Sequence, residues 1–427
     1  MPRSHQSGEP REWSRSTTWA VLAAALLVAL GTLAFLAPLT PQLTFNHGLG
    51  YFDGQTYAAL VNILRGQLHT EVATPYVYRI APIAFVAWSG LPPVSGLLLV
   101  NVAGGLLSAP LLVLLMRRYR APPTLALVAV AWLCILGPGL RLTLYYPTLL
   151  DGIGQALILA LLACAVYGRF ALFATLLPIA LLTRENALIT LPFLWLANMR
   201  CGILRSGVAT FLAAITGILA LALVHAAPPI APTNGTSALA DAQQNLAWFA
   251  ANASDRAWRY LIAPPLTLGL LVVVPFLAPR VVWSWLRDAP EWVWYVAGVL
   301  GLAMIGGGDY DRFAYGLAPP LLIASFVALA SLHLPAVVLA ALTALQMVAI
   351  GFGYALGPGE SSYRSWTVAL MDFSGLAERM WRFGAAALAA LAFPRMRTEV
   401  HVQRCGCIGY ETGKPLGSVG SGSSGQG

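Results

Sequence analysis

Five short polar clusters interrupt an otherwise apolar chain, and together they hold carboxylates, guanidinium groups and aromatic rings. They are Tyr51-Phe52-Asp53-Gly54-Gln55-Thr56-Tyr57, Pro75-Tyr76-Val77-Tyr78-Arg79, the stretch from Arg141 to Asp151, Thr183-Arg184-Glu185-Asn186, and Gly306-Gly307-Gly308-Asp309-Tyr310-Asp311-Arg312. Asp53 has two readings. As an ionised carboxylate it accepts the proton of an attacking hydroxyl and acts as a general base. At the start of a helix-like stretch, in which Tyr57, Leu60, Val61 and Leu64 recur at helical spacing, it instead caps backbone N–H groups, a role worth about 1 kcal/mol. Tyr51, Phe52 and Tyr57 present flat faces to a ring-shaped ligand, though interfacial aromatics also anchor membrane proteins. Gln55 and Tyr78, in the same clusters, complete the candidate contacts on this side.

Arg79 precedes a short apolar stretch and Arg184 separates two half-length ones, so neither has a flexible water-facing loop to occupy. Each calls for an anion. Asp151 and Glu185 are the internal choices, giving buried ion pairs; the external choice is a phosphate, which a guanidinium grips with a planar two-pronged fork. Arg312 has the same two readings, with Asp309 and Asp311 as local partners. Asp309-x-Asp311 has the form of a divalent-metal pair, but Arg312 competes for the same carboxylates, so no resident metal or other cofactor is expected. The glycines at 306–308 lack the G-x-x-x-x-G-K-[ST] pattern of a nucleotide loop and read as an unwound end of a span.

Helices in a bilayer must position these clusters. The chain has 427 residues, 58% of them hydrophobic and 10% charged, against roughly 25% charged in a soluble domain. This excludes a water-soluble fold. The apolar sequence suffices for about twelve spans of about 20 residues, which also excludes a single anchor. The expected fold is all-α: a polytopic membrane protein of about 12 transmembrane helices, with short external helices in the first loop. The formal charge of +8 fits arginines gathered in cytoplasmic loops better than it fits nucleic-acid binding. Lys414 is the only lysine, and the Arg-, Ala- and Leu-rich composition is that of a bacterial gene of high GC content.

The run from Thr18 to Thr40 is too long for a signal peptide and lacks a cleavage site, so it is a retained first span. After the polar stretch Pro41–Arg79, Leu91-Pro92-Pro93 divides the apolar sequence into a short interfacial helix and a second span ending at Arg117-Arg118-Tyr119-Arg120. Further apolar runs are Pro123–Leu140, Gly152–Tyr167, Phe170–Leu182, Ala187–Met199, Val208–His225, Leu261–Leu277, Trp292–Ile305, Ala314–Leu332, Pro335–Leu356 and Phe383–Phe393. The two between Phe170 and Met199 also fit a re-entrant hairpin. Residues 1–17 are then a cytoplasmic N-terminal segment, 18–394 the membrane part, and 395–427 a disordered cytoplasmic tail whose last stretch, GSVGSGSSGQG, has flexible-linker composition. Both termini lie inside a bacterial plasma membrane, and the basic loops fall inside while most acids fall outside. The five polar clusters all reach the external boundary, where ionisable residues between short spans mark a substrate or ion path. Cys134 and Cys164 lie in apolar runs and Cys405-x-Cys407 stands alone, so free thiols are expected instead of disulfides or zinc.

The elements Tyr51-Phe52-Asp53-Gly54-Gln55-x-Tyr57, Pro-Tyr-x-Tyr-Arg-x-x-Pro at Pro75–Pro82, Leu-Thr-Arg-Glu-Asn at Leu182–Asn186, and Asp-x-Asp-Arg at Asp309–Arg312 resemble bacterial GT-C-type glycosyltransferases. The resemblance covers roughly Thr18 to Ala355. It implies a polyprenyl-phosphate sugar as donor, a lipid-linked or cell-envelope glycan as acceptor, and inversion at the sugar carbon. By the same resemblance Asp53 is the catalytic base, and Arg79, Arg184 and Arg312 lie at the donor phosphate. Two features depart from the family pattern: no soluble external domain follows the membrane part, and no second acid sits beside Asp53. The alternative, a transporter or lipid flippase, predicts inverted repeats with matched broken helices at the midplane; no repeat is evident, and the clusters lie at one boundary. An O-antigen ligase or polymerase would place its polar content in one late loop, whereas here the earliest loop is the richest.

The charge pattern sets a sidedness that labelling can check. A cysteine introduced by Gln67→Cys should react with an impermeant thiol reagent from outside the cell, and one introduced by Arg120→Cys only after permeabilisation. The reverse pattern, or equal reactivity, would overturn the scheme.

Overall fold

The computed structural model describes residues 13–43, 53–69, 71–72, 76–226, 238–305 and 310–353. Its regular structure is helical. In chain order the α-helices are α1 (Arg15–Leu36), α2 (Asp53–Leu64), α3 (Ala81–Ser89), α4 (Pro93–Arg118), α5 (Pro123–Ile135), α6 (Leu142–Tyr145), α7 (Asp151–Val166), α8 (Phe170–Leu181), α9 (Thr190–Asn198) and α10 (Ile203–Ala226). There follow α11 (Ala238–Ala251), α12 (Ala253–Leu268), α13 (Pro279–Asp288), α14 (Glu291–Ile305), α15 (Tyr310–Tyr315), α16 (Ala318–Leu332) and α17 (Ala336–Gly353).

Among the described residues three helices are long and apolar enough to cross a membrane: α1 with its 3-10 extension to Leu39, α4 and α10. A fourth span arises if α5 and the segment Gly137–Tyr145, bent by 46° against it, count as one. Most other expected runs appear as apolar helices of 10–17 residues, so length alone does not yield twelve spans. The run at Phe383–Phe393 and the tail from 395 lie outside the described residues.

The surface explains why these helices belong in lipid. On α10 only Ser206, Ala213 and Gly217 are buried, while Leu204, Phe211, Leu219 and Leu223 are exposed. On α1 the buried residues Thr18, Val21, Ala25 and Ala29 form a narrow stripe that faces α4 and α5. Apolar faces this extensive require an apolar solvent, in which every backbone polar group must also find an internal partner. The expected run Leu261–Leu277 shows how that demand is met. Pro264 and Pro265 remove donors, Gly269 turns left-handed at φ 59°, and the run breaks into α12 and two 3-10 turns. The Gln346 side chain on α17 closes the gap, its Oε1 accepting from the Leu270 N–H at 2.6 Å and its Nε2 donating to the Leu268 carbonyl at 2.9 Å.

α8 and α9 run in opposite directions as a short hairpin beside α7 and α10. Asn198 at the end of α9 donates to the Ala165 carbonyl near the end of α7 at 2.9 Å, so Thr183–Glu185 sits at the hairpin apex, level with the start of α7. The other end of the bundle carries an aromatic cluster of Tyr119, Trp285 and Trp292. α4 and α7 approach until their backbones touch. A Cβ on Gly104 would lie 2.5 Å from the Ile153 Cα, and one on Gly152 2.5 Å from the Asn101 carbonyl oxygen. Small residues permit this approach where lipid supplies no hydrophobic drive.

Gly104→Ala should therefore force α4 off α7 and cost about 1–3 kcal/mol. Gly31→Ala on α1, where a Cβ meets nothing within 4 Å, should be neutral or stabilising by up to about 1 kcal/mol. Thermal unfolding in detergent measures both, and equal effects would refute the close-approach argument.

Candidate functional site

Helix α2 and the loop before α7 build one wall of the site. Gly54, the second residue of α2, donates its N–H to the Tyr146 hydroxyl at 2.8 Å. A Cβ there would lie 2.0 Å from Thr148 Oγ1 and 2.2 Å from the Tyr146 ring, so glycine is what lets α2 start against the 146–148 loop. Asn101, buried on α4, fixes that loop. Its Nδ2 donates to the carbonyls of Pro147 (3.1 Å) and Leu149, and its Oδ1 accepts from the Ile153 N–H at 3.3 Å. The first turn of α7, with Asp151 at its head, is thus pinned beside the first turn of α2, with Asp53 at its head.

A relay of charges joins them. Asp53 Oδ1 accepts from the Tyr76 hydroxyl at 2.5 Å, and Oδ2 accepts from Arg312 Nη1 at 2.8 Å. Arg312 turns its other edge to Asp151, with Nε 3.1 Å and Nη2 3.0 Å from Oδ2. Asp151 Oδ1 also pairs with Arg184 Nη1. Alongside runs a second pair: Arg79 Nε and Nη2 lie 3.2 and 3.1 Å from Glu185 Oε2, and Nη1 donates to the Tyr57 hydroxyl at 2.7 Å. Tyr57 and Tyr76 meet edge to face with centroids 5.5 Å apart, and Arg79 stands over the Tyr76 ring. The side chains of Asp151 and Arg312 are 4% and 6% exposed, against 27% for Asp53 and 35% for Glu185. The site is deep at Asp151 and open at Asp53.

Burial works to raise the Asp53 pKa, but the Arg312 charge, the Tyr76 hydrogen bond and the Arg79 charge outweigh it and hold the carboxyl below its ordinary 3.8. For Arg79, burial favours loss of the proton, yet Glu185 and Tyr57 keep it firmly protonated. The described ions of the site, Asp53, Asp151, Glu185, Arg79, Arg184 and Arg312, sum to zero charge. Asp53 and Asp151 do not face each other as an open pair; a guanidinium lies between them. Among the described residues no group of three or more His, Cys, Asp or Glu side chains is gathered as metal ligands.

Of the residues singled out in the sequence, Asp53, Tyr57, Arg79, Asp151, Arg184, Glu185 and Arg312 come together. Gln55 is buried within α2. Tyr78 stacks on His225 at the end of α10, with centroids 3.6 Å apart. Tyr51 and Asp309 lie outside the described residues, as does the side chain of Asp311. Each of the six ions has an oppositely charged partner among the described residues. Asp53 directs its carboxylate to Tyr76 and Arg312, and it is Tyr146 that takes the Gly54 N–H. Arg312 reaches 161 and 259 residues back to Asp151 and Asp53, since its position on a six-residue helix points its fork at the relay. Arg184 takes Asp151 and Arg79 takes Glu185, the two acids expected as internal partners of these arginines.

Sequence reasoning missed Asn101 and Gln155, and took in Tyr146 and Thr148 only as unassigned members of the stretch from Arg141 to Asp151. A polar residue inside an apolar run was the available signal for Asn101, and the i+4 spacing from Asp151 was that for Gln155. Thr148 Oγ1, Gln155 Nε2 and Asn186 Oδ1 are buried without a hydrogen-bond partner. All three stand on the segments that carry Asp151 or Glu185, and buried polar atoms ordinarily have a partner. No family model matches the chain, and no curated protein matches it.

Arg312→Ala should destabilise the protein by about 3–5 kcal/mol, because it strips one of two cations from a deeply buried carboxylate. Because the Asp53 pKa is depressed in the folded state, its contribution to stability is complete above the ordinary carboxylate value and is lost as the pH falls through the lowered one. Asp53→Asn should therefore flatten the acid limb of a stability–pH curve, and an unchanged limb would place the acid sensitivity elsewhere.

Proposed function

We propose that the chain is a membrane glycosyltransferase of GT-C type, which transfers a sugar from a polyprenyl-phosphate donor to a lipid-linked or cell-envelope acceptor. The observation that carries the reading is the meeting, at one end of an apolar helical bundle, of a partly exposed carboxylate with three guanidinium groups supplied by distant segments. Such a site has a base for a hydroxyl and forks for a phosphate within one cluster. The orphaned polar atoms of Thr148, Gln155 and Asn186 support a ligand rich in hydroxyls, which would complete their hydrogen bonds. Under this reading the bundle is a multi-span protein of the bacterial plasma membrane, and the site end faces outward.

The reaction is a single displacement. The acceptor oxygen attacks the sugar's anomeric carbon as its proton passes to Asp53. The new C–O bond forms as the bond to the phosphate oxygen breaks, and that oxygen keeps the electron pair. Arginine forks stabilise the charge gathering on the departing polyprenyl phosphate, and attack opposite the leaving group inverts the carbon. The chemistry draws on this chain's own side chains, with no nucleotide and no resident cofactor assigned.

Two variants test the assignment. Asp53→Asn keeps the size of the side chain and its contact with the Tyr76 hydroxyl but cannot take the proton, so transfer should fall by about a hundredfold or more while the protein remains folded. Arg184→Lys should turn over donor better than Arg184→Ala and worse than wild type, since lysine keeps the charge and loses the fork. A folded Asp53→Asn protein with near wild-type transfer of sugar from polyprenyl phosphate would remove Asp53 from the mechanism.

A further inference from the structure

Arg312 makes two unequal attachments. Its Nε–Nη2 edge holds Asp151 by contacts of 3.1 and 3.0 Å to one oxygen and 3.3 Å to the other, deep in the bundle. Its Nη1 lies 2.8 Å from Asp53 Oδ2 at the open side, its one partner there among the described residues. Asp151 is also gripped by Arg184, and Asp53 Oδ1 is also held by Tyr76. Each carboxylate thus has a second partner. Of these described links, the Nη1–Oδ2 bond can part with both ends still held by another partner.

The charge of the site makes that link matter. The six described ions balance, so an arriving phosphate finds each guanidinium of the site already matched by a carboxylate and has to share one. In its resting pairing Asp53 is also a poor base, because the oxygen that would take a proton is the one bound to Arg312.

We propose that the donor phosphate and Asp53 compete for Arg312 Nη1, so that binding the donor draws this nitrogen off Asp53 Oδ2 and exposes the oxygen that takes the acceptor's proton. The inference rests on the glycosyltransferase reading and deepens it: the base is masked until the donor is bound. Arg312 remains anchored to Asp151 through its other edge, and Tyr76 keeps the freed carboxylate aimed. Activation of the acceptor therefore follows donor binding, and a site without donor has no unmasked base.

The test is a binding measurement. A long-chain polyprenyl phosphate is titrated against the purified full chain in lipid nanodiscs, as wild type, Asp53→Asn, Arg312→Gln and the double variant. Removing the competing carboxylate should tighten binding by about tenfold, the effect expected of a hydrogen bond to a charged group, even as the same variant loses transfer. In the Arg312→Gln background the Asp53→Asn change should have little further effect. If wild type binds and Asp53→Asn binds equally or more weakly, the masking mechanism is wrong and the glycosyltransferase reading stands. Tightening that persists without Arg312 would reflect general charge and also overturn the competition. If neither wild type nor Asp53→Asn binds the lipid phosphate, the functional reading itself falls.

Discussion

A carboxylate buried in an apolar bundle is the constraint from which the rest of the site follows. Asp151 is 4% exposed, and an ion this deep is tolerated only with partners of opposite charge and good geometry. It has two, Arg184 from the hairpin apex and Arg312 from α15. Each arginine then fixes the segment that carries it. The apex between α8 and α9 must reach the head of α7, and α15 must lie where its fork meets both Asp151 and α2. Asp53 closes the chain of charges at its open end, so the placement of α2 depends on a residue 259 positions later.

Departures from regular helix serve the same end. The π-turn at Gly137–Arg141, with Gly139 outside helical geometry, bends the chain and delivers Tyr145 and Tyr146 to the wall of the site, where Tyr145 accepts from the Leu43 N–H at 2.7 Å. Gly154 admits the Arg184 side chain, whose Cδ would lie 2.9 Å from a Cβ. The glycines at 54, 104, 152 and 154 thus bring backbone and side chain close at the points where α2, α4, α7 and Arg184 converge. Helical regularity is kept in α1, α4 and α10, which meet lipid, and is broken where the polar residues gather, as expected when irregular backbone is confined to protein-lined regions.

Much of this was legible in the residues. Sparse charge and long apolar runs gave the all-helical membrane character, and the five polar clusters contained nearly every ionisable member of the relay. Partner choice was not legible. Asp151 and Glu185 were both open to Arg79 and Arg184, and which acid goes to which arginine is decided by the side chains that share a depth in the bundle, as is the reach of Arg312 back to Asp151 and Asp53. Adjacent residues on an irregular turn point in different directions, so Glu185 and Arg184 find separate partners. Helix lengths were also poorly marked, since apolar composition is continuous across breaks such as Gly269, where a glutamine from another helix makes the break tolerable. Asn101 escaped notice because its importance lies in the three backbone groups it joins on another segment, which its own neighbourhood does not reveal.

The order of the relay along the chain has a consequence for biosynthesis. Among Asp151 and its two cations, Asp151 is made first, Arg184 follows 33 residues later and Arg312 161 residues later. At synthesis rates of about 5–20 residues per second, Asp151 waits only about two to seven seconds for its first cation and several times longer for its second. The nascent chain therefore has a counterion close in sequence to its buried Asp151 carboxylate almost from the moment that acid is made, while the closing of the site is deferred until the late helices arrive.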